Sequence, residues 1–347
     1  MEEISMYAVD TAKSVFQVHG ENAARTVKVQ KRLRRGQFLG FFARLPSGVR
    51  IVLEACGASH HWARELTKLG HEVRLMPAAY VKPYVKRGKN DAADAEAICE
   101  AVTRQTMRFV AVKSREQQAA LALHRSRSLL IRQRTQLVNM MRSVLAELGV
   151  AIPVGLEKAL QMARQVVDDE AGLDLPTEAI DVVTMLAGQT LQLHAQLRKL
   201  DLRLAALQRS DDTARRLATI PGIGPVGATA LAASVTDPGQ FASGRQFAAW
   251  LGLTPRQNSS GGKERLGRIT KMGDKYLRQL LVVGATSLVR RAKDKPDAVD
   301  SRFVALLARK PARVASVAMA NKMARIAWAV MTRGEVFQPG HAPMLAA

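Results

Sequence analysis

Four acids stand where short apolar segments end or a helix begins. Asp10 closes residues 7–10 (YAVD), Glu54 lies in residues 49–55 (VRIVLEA), and Asp91 and Asp94 open KNDAADAEA. Asp91 and Asp94 are three apart, so on a helix they share a face. If the strands bearing Asp10 and Glu54 are adjacent and the helix packs beside them, four carboxylates converge. Their mutual repulsion is costly unless cations sit among them. Mg²⁺ accepts few carboxylates together with water and a phosphate. Two such ions can activate one oxygen and stabilise the leaving oxygen in phosphodiester chemistry. Each acid has a plainer role open to it: Asp91 and Asp94 as helix N-terminal acids, Asp10 in a strand-end turn. Glu54 is harder to explain so, because it follows Ile51-Val52-Leu53 directly. The combination is more specific than any single acid.

A second chemistry is available near the C-terminus. Asn258-Ser259-Ser260-Gly261-Gly262-Lys263 offers hydroxyls in a glycine-rich basic loop, residues 258–273, with Lys263, Arg265, Arg268 and Lys271 able to hold a phosphate. A serine hydroxyl attacks only when a base or metal activates it. A flexible Ser-Gly linker is the plainer reading of the motif alone, and the spacing of a nucleotide-binding P-loop is absent. Upstream, Ile220-Pro221-Gly222-Ile223-Gly224-Pro225 reads as a helix-hairpin-helix. There Gly222 and Gly224 would let backbone and the next helix N-terminus approach a phosphate; a tight turn between packed helices is the alternative.

The elements that must position these groups fall into zones over residues 1–112, 113–210 and 211–335, with 336–347 a loose tail. The first zone orders as three strands, helix, strand, helix, strand, helix. Its strands are expected near 7–10, 15–19, 26–29, 49–55 and 73–76, and its helices near 37–45, 61–69 and 91–103. The second is helical. Leu123, Leu130, Leu137 and Val144 recur every seven residues, as do Leu186, Leu193, Leu200 and Leu207, with Leu197 and Leu204 as a partial second stripe. Such spacing suits antiparallel or intersubunit coiled-coil arms, or an ordinary bundle within one chain. Residues 150–178 between them, with Pro153 and Pro176, read as a turn region. The third zone is mainly helical around the basic loop.

The 347 residues carry 52 Lys and Arg against 30 Asp and Glu, a formal charge of +22 that favours a polyanion partner. Residues 256–295 alone hold eleven basic and three acidic side chains, a local net charge of +8. The two cysteines, Cys56 and Cys99, form no C-x-x-C pair, which argues against a disulfide framework and fits a reducing cytoplasm. The acidic N-terminus lacks the features of a signal peptide, and no apolar run reaches membrane-spanning length.

AVDTAK around Asp10, LEACG around Glu54, KNDAADAEA, IPGIG and FAAWLGLTPRQNSSGGKERLGRITKMGDKYLR together resemble the DEDD transposases of bacterial insertion sequences, the IS110 and IS1111 groups, which include Piv-type DNA invertases. The resemblance covers nearly the whole chain. It implies an α/β, RuvC-like (RNase H-like) N-terminal domain with Asp10, Glu54, Asp91 and Asp94 as a Mg²⁺-binding tetrad. It further implies central coiled-coil arms and a mainly α C-terminal transposase domain whose serine forms a covalent phosphoserine with DNA. Ser260 best matches that position, with Ser259 beside it. The family also implies a homo-oligomer, dimer to tetramer, in which the serine of one subunit completes the metal site of another, and a noncoding bridge RNA as guide. Two rival functions share parts of this pattern: a RuvC-type structure-selective endonuclease that hydrolyses DNA, and a non-enzymatic nucleic-acid-binding protein.

Overall fold

A computed structural model of the chain describes residues 4–85, 91–104, 107–169, 171–263 and 265–338, the side chains of residues 91–94 and 298 apart. The chain divides into two compact units, one ending at Arg115 and the other starting at Glu116. The result is a mixed α/β protein, with its large sheet in the first unit and a mostly helical second unit.

The first unit runs β1 (Ile4–Thr11), β2 (Val15–Asn22), β3 (Val27–Arg34), α1 (Phe38–Phe42), β4 (Arg50–Glu54), α2 (Ser59–Lys68), β5 (Glu72–Met76), α3 (Ala78–Val81) and α4 (Asp91–Val102). The sheet order is β3-β2-β1-β4-β5, with β1–β3 an antiparallel meander and β4 and β5 parallel to β1. Period-two alternation sends Tyr7, Val9, Ile51 and Leu53 to one face, where they pack with Phe38, Phe42 and Trp62. Met6, Ala8 and Val52 point to the other, which Ala97, Ile98, Cys99 and Ala101 of α4 cover. The eight expected strands and helices of this zone form, and the short α3 joins them.

The second unit begins with two long helices, α5 (Arg115–Glu147) and α7 (Thr177–Ser210), with α6 (Leu156–Val167) between them in the stretch expected to be a turn region. Apolar Ala159, Leu160 and Ala163 recur at helical spacing and pack on Val138, Met141, Val183 and Ala187. Pro153 precedes α6 and Pro176 is the N-cap of α7, so neither breaks α6. Arg127 bonds Asp201 at 2.5 Å and Arg134 reaches His194 at 2.9 Å, so α5 and α7 run antiparallel within one chain.

The fully buried positions of α7 include Val183, Thr190, Leu197 and Leu204, a seven-residue repeat on the stripe thought secondary. In α5 the buried positions His124, Val138 and Leu145 lie one residue beyond Leu123, Leu137 and Val144. Leucines mark this seam only in part, as at Leu197 and Leu204, because histidine, threonine and arginine occupy other positions of it.

The C-terminal core is built from α8 (Asp212–Leu217), α9 (Pro225–Ser234), α10 (Gly244–Trp250), the hairpin strands β6 (Pro255–Gln257) and β7 (Leu266–Ile269), α11 (Lys275–Asp294), α12 (Ser301–Arg309) and α13 (Ala312–Arg333). The expected basic loop is thus an antiparallel hairpin. Asp211, Ser243, Asp274 and Asp300 cap α8, α10, α11 and α12 through their side chains. Among the described residues no helix is long and apolar enough to cross a membrane.

His124 ties α5 to this core: its ring nitrogens lie 3.0 Å from the Tyr276 hydroxyl and 3.1 Å from the Thr229 hydroxyl. Burial, with Arg127 nearby, pushes its pKa down from 6.5 to about 4. The native state therefore excludes a proton that the unfolded chain takes up below about pH 6.5. Stability from the neutral ring is present above that pH and is lost as pH falls toward 4. Chemical denaturation should show an acid-side loss over this window that is larger in wild type than in His124→Gln, by on the order of 3 kcal/mol.

Gly284, in the middle of α11, makes a second expectation. A Cβ there would stand 2.0 Å from the Gly222 carbonyl oxygen. Gly→Ala in an open helix stabilises by about 1 kcal/mol. Here Gly284→Ala is expected to destabilise by about 1–3 kcal/mol through overpacking, read as a lower urea midpoint.

Candidate active site: an acid pair and a serine hairpin

The acid pair follows from strand register. β1 pairs with β4 in parallel, Ala8 opposite Val52 and Val9 opposite Leu53. Asp10 and Glu54 each come next, on the face that Ala8 and Val52 share, so alternation sends both toward the α4 side of the sheet. Both are half-buried. Cys56, just beyond Glu54, reports on the pair. Its sulfur lies 3.0 Å from the Thr11 hydroxyl. Loss of water on its protein-facing side pushes the thiol pKa up; the Thr11 hydroxyl opposes this, and the charges of Glu54 and Asp10 add to it. Cys56 is a neighbour of the pair that reading the acids alone did not single out, although the LEACG motif contains it.

α4 runs opposite to β1. Cys99, in its last turn, approaches the His19 carbonyl, and Val102 and Thr103 line a cleft with Ser5 and Met6 at the start of β1. The first turn of α4, with Asp91 and Asp94, is therefore at the end of the sheet where β1 and β4 finish. The side chains of Asp91 and Asp94 lie outside the described residues. Oxygen-only donors on adjacent strands fit a hard cation such as Mg²⁺ better than a thiophilic one.

The serine motif belongs to the second unit. Asn258 N–H donates to the Arg265 carbonyl at 2.9 Å, and Lys263 N–H to the Ser260 carbonyl at 3.1 Å. Between them Gly261 and Gly262 have φ of +57° and +78°. Two successive positive φ angles match a two-residue hairpin turn of type I′, which glycine enters at little cost. Gly-Gly between two extended stretches was the available sequence signal. The two serines differ. Ser259 Oγ accepts the Arg265 backbone N–H at 3.2 Å, whereas Ser260 sits exposed at the start of the turn with no side-chain hydrogen bond among the described residues. Lys263, Arg265, Arg268 and Lys271 are all exposed along the same hairpin and its exit. Its root is fixed by close backbone approach: a Cβ on Gly252 would stand 2.1 Å from the Met272 carbonyl oxygen, and one on Gly273 1.8 Å from that of Trp250. Arg278 also donates to the Leu251 carbonyl at 2.8 Å.

In the turn between α8 and α9, Gly222 has φ +85° and faces inward; a Cβ would meet Gly284 oxygen and Met323 at 3.0 Å. Gly224, the N-cap of α9, faces open space. The inward glycine serves packing, and the outward one leaves the α9 N-terminus accessible.

Two family models match the chain, one described as a transposase family of the DEDD IS110 type over residues 8–149 and one as the Transposase IS116/IS110/IS902 family over residues 214–299. The acid pair falls in the first and the serine hairpin in the second. The chain is 47% identical to a putative transposase of Sinorhizobium fredii, over 97% of this chain and 87% of the relative. A probable family 20 transposase of Pseudomonas aeruginosa is 46% identical over 97% of this chain and 99% of that one. The transposase for insertion sequence element IS1111A of Coxiella burnetii is 38% identical over 98% and 93%. The chain belongs to the IS110 family of transposases. As a transposase it acts on DNA, which accounts for the +22 charge.

For this transposase the basic hairpin gives a measurable expectation. Each side chain that holds a duplex phosphate contributes about 0.9 to the slope of log affinity against log salt. Replacing Lys263, Arg265, Arg268 and Lys271 together by Ala should lower that slope by up to about 3.6 in a fluorescence-anisotropy salt series.

Proposed function

We propose that this transposase exchanges DNA strands through a covalent bond to Ser260, using Mg²⁺ held by Asp10, Glu54, Asp91 and Asp94. The observation that carries the reading is the hairpin. Both serines are exposed, but Ser259 Oγ accepts the Arg265 backbone N–H, while Ser260 makes no side-chain hydrogen bond among the described residues and lies at a glycine turn among exposed cations. The register that sets Asp10 beside Glu54 supports the acidic half of the reading. So does the strand order β3-β2-β1-β4-β5, which is compatible with an RNase H-like, RuvC-type domain.

The chemistry balances without a nucleotide cofactor. Ser260 Oγ attacks phosphorus, a P–Oγ bond forms and the bond to the 3′ oxygen breaks. The serine proton passes to solvent or a base, and the departing 3′ oxygen is protonated. The phosphoserine ester keeps the energy of the original phosphodiester, so a 3′-hydroxyl from another duplex can reseal it and free the serine. Mg²⁺, when bound, offsets the carboxylate charges and favours the ionised oxygens of the transfer. Lys263, Arg265, Arg268 and Lys271 hold backbone phosphates near the hydroxyl, and the open α9 N-terminus at Gly224 offers a further phosphate contact. Inward-facing Gly222 supports that turn from behind. We further propose that the chain works as a homo-oligomer, dimer to tetramer, and that a noncoding bridge RNA of the element supplies target choice; the large basic excess supports an RNA as well as a DNA partner.

Denaturing electrophoresis of full-length protein with Mg²⁺, the cognate RNA and labelled DNA bearing element ends tests the mechanism. A labelled protein–DNA adduct is expected for wild type and Ser259→Ala, and none above background for Ser260→Ala or Glu54→Gln. Cleavage without an adduct, surviving both serine changes, would replace the mechanism with metal-dependent hydrolysis.

A further inference from the structure

Behind the acid pair, on the same face of the sheet, the transposase holds a second group of metal-ligating atoms with different chemistry. His19 and Glu21 lie two residues apart on β2, so both point toward α4, and Cys99 of α4 meets them there. His19 Nε2 is 3.1 Å from Glu21 Oε1, and the ligand atoms of all three residues lie within 4.8 Å of one another. His19 is 2% exposed and Cys99 1%. Glu21 opens onto a surface cleft with Ser5, Asn22, Arg50, Arg74 and Thr103.

We propose that His19, Glu21 and Cys99 form a site for a thiophilic divalent cation, Zn²⁺ by ligand type, with its fourth position open to water from the cleft. Three facts support it. First, sulfur, imidazole nitrogen and carboxylate oxygen are the three zinc donors, and Mg²⁺ rarely takes the first two. Second, zinc with bonds of 2.0–2.3 Å sets nitrogen and oxygen ligands about 3.4 Å apart, close to the separation already present. Third, a buried thiol beside a carboxylate is held strongly in its protonated form, by burial first and by the Glu21 charge next. That unfavourable pairing becomes favourable once a cation separates the two anions. On binding, the Cys99 proton leaves to solvent as the metal–sulfur bond forms. The His19 proton moves to Nδ1, so that Nε2 offers its lone pair in place of the contact to Glu21.

The ion would join β2 to α4, the helix whose first turn carries Asp91 and Asp94. This consequence for the acidic tetrad rests on the proposed function; the binding site does not, and its test needs no DNA. Chelator-stripped full-length protein is titrated with Co²⁺ alone, following the thiolate-to-cobalt charge-transfer band, and Zn²⁺ is then added to displace it. One equivalent should give the band, which weakens as pH falls because the thiol must ionise. The band should vanish in Cys99→Ala and bind at least about tenfold more weakly in His19→Gln and Glu21→Gln. It should persist in Cys56→Ala and in Asp10→Asn/Glu54→Gln. Far-UV circular dichroism confirms that each variant folds; Glu21→Gln keeps the shape of the side chain and carries the test if Cys99→Ala does not fold. No band in wild type, undiminished affinity in folded Glu21→Gln, or a band lost in Cys56→Ala would each overturn the proposal.

Discussion

The parallel pairing of β1 with β4 is the constraint on which the acidic end of the first unit depends. Because side chains alternate, slipping this register by one residue would send Asp10 or Glu54 to the opposite face and break their pairing. The apolar residues enforce the register. Tyr7, Val9, Ile51 and Leu53 must all meet the aromatic cluster of Phe38, Phe42 and Trp62, while Met6, Ala8 and Val52 must meet α4. Two acids then stand side by side as a by-product of burying two apolar faces. Their repulsion is tolerated because both sit at the strand ends, half-buried, where water or a cation can reach them.

In the second unit the corresponding constraint is steric. Gly222 against Gly284 brings the α8–α9 turn onto α11, and Gly252 and Gly273 let the hairpin root cross the end of α10. At these points backbone lies against backbone, leaving no room for a side chain. The core behind is apolar and continuous from Ala214 to Met331. The hairpin tip has the opposite character: exposed cations, two left-handed glycines and a hydroxyl that makes no hydrogen bond among the described residues. A rigid base beneath an open tip suits a group that must be presented to a large polyanion.

The long helices use polar layers where a simple coiled coil would use leucine. Arg127 with Asp201, Arg134 with His194, and His124 between Tyr276 and Thr229 are spaced along the α5 seam. Each needs a particular partner, so each fixes the axial position of α5 more sharply than apolar packing does. The same residues leave the seam only partly visible in the sequence, since a heptad pattern rests on apolar side chains.

The sequence by itself determined the element order of the first unit, the acids at its strand ends, the basic surplus and the string from Phe247 to Arg278 that carries the family likeness. These are local properties, set by alternation, glycine and proline placement, and residue type. It left open which of two adjacent serine hydroxyls accepts a backbone hydrogen bond and what the glycines of the IPGIG turn do, and it read the stretch around residue 160 as a turn region where a helix forms. Tertiary structure decided those. A hydroxyl is engaged or free according to the strand across from it, as Arg265 engages Ser259. A glycine is needed for packing or left open according to what lies behind it, as Gly284 lies behind Gly222. The meeting of His19, Glu21 and Cys99 is of the same kind: residues about eighty positions apart become neighbours only when α4 folds back across β2.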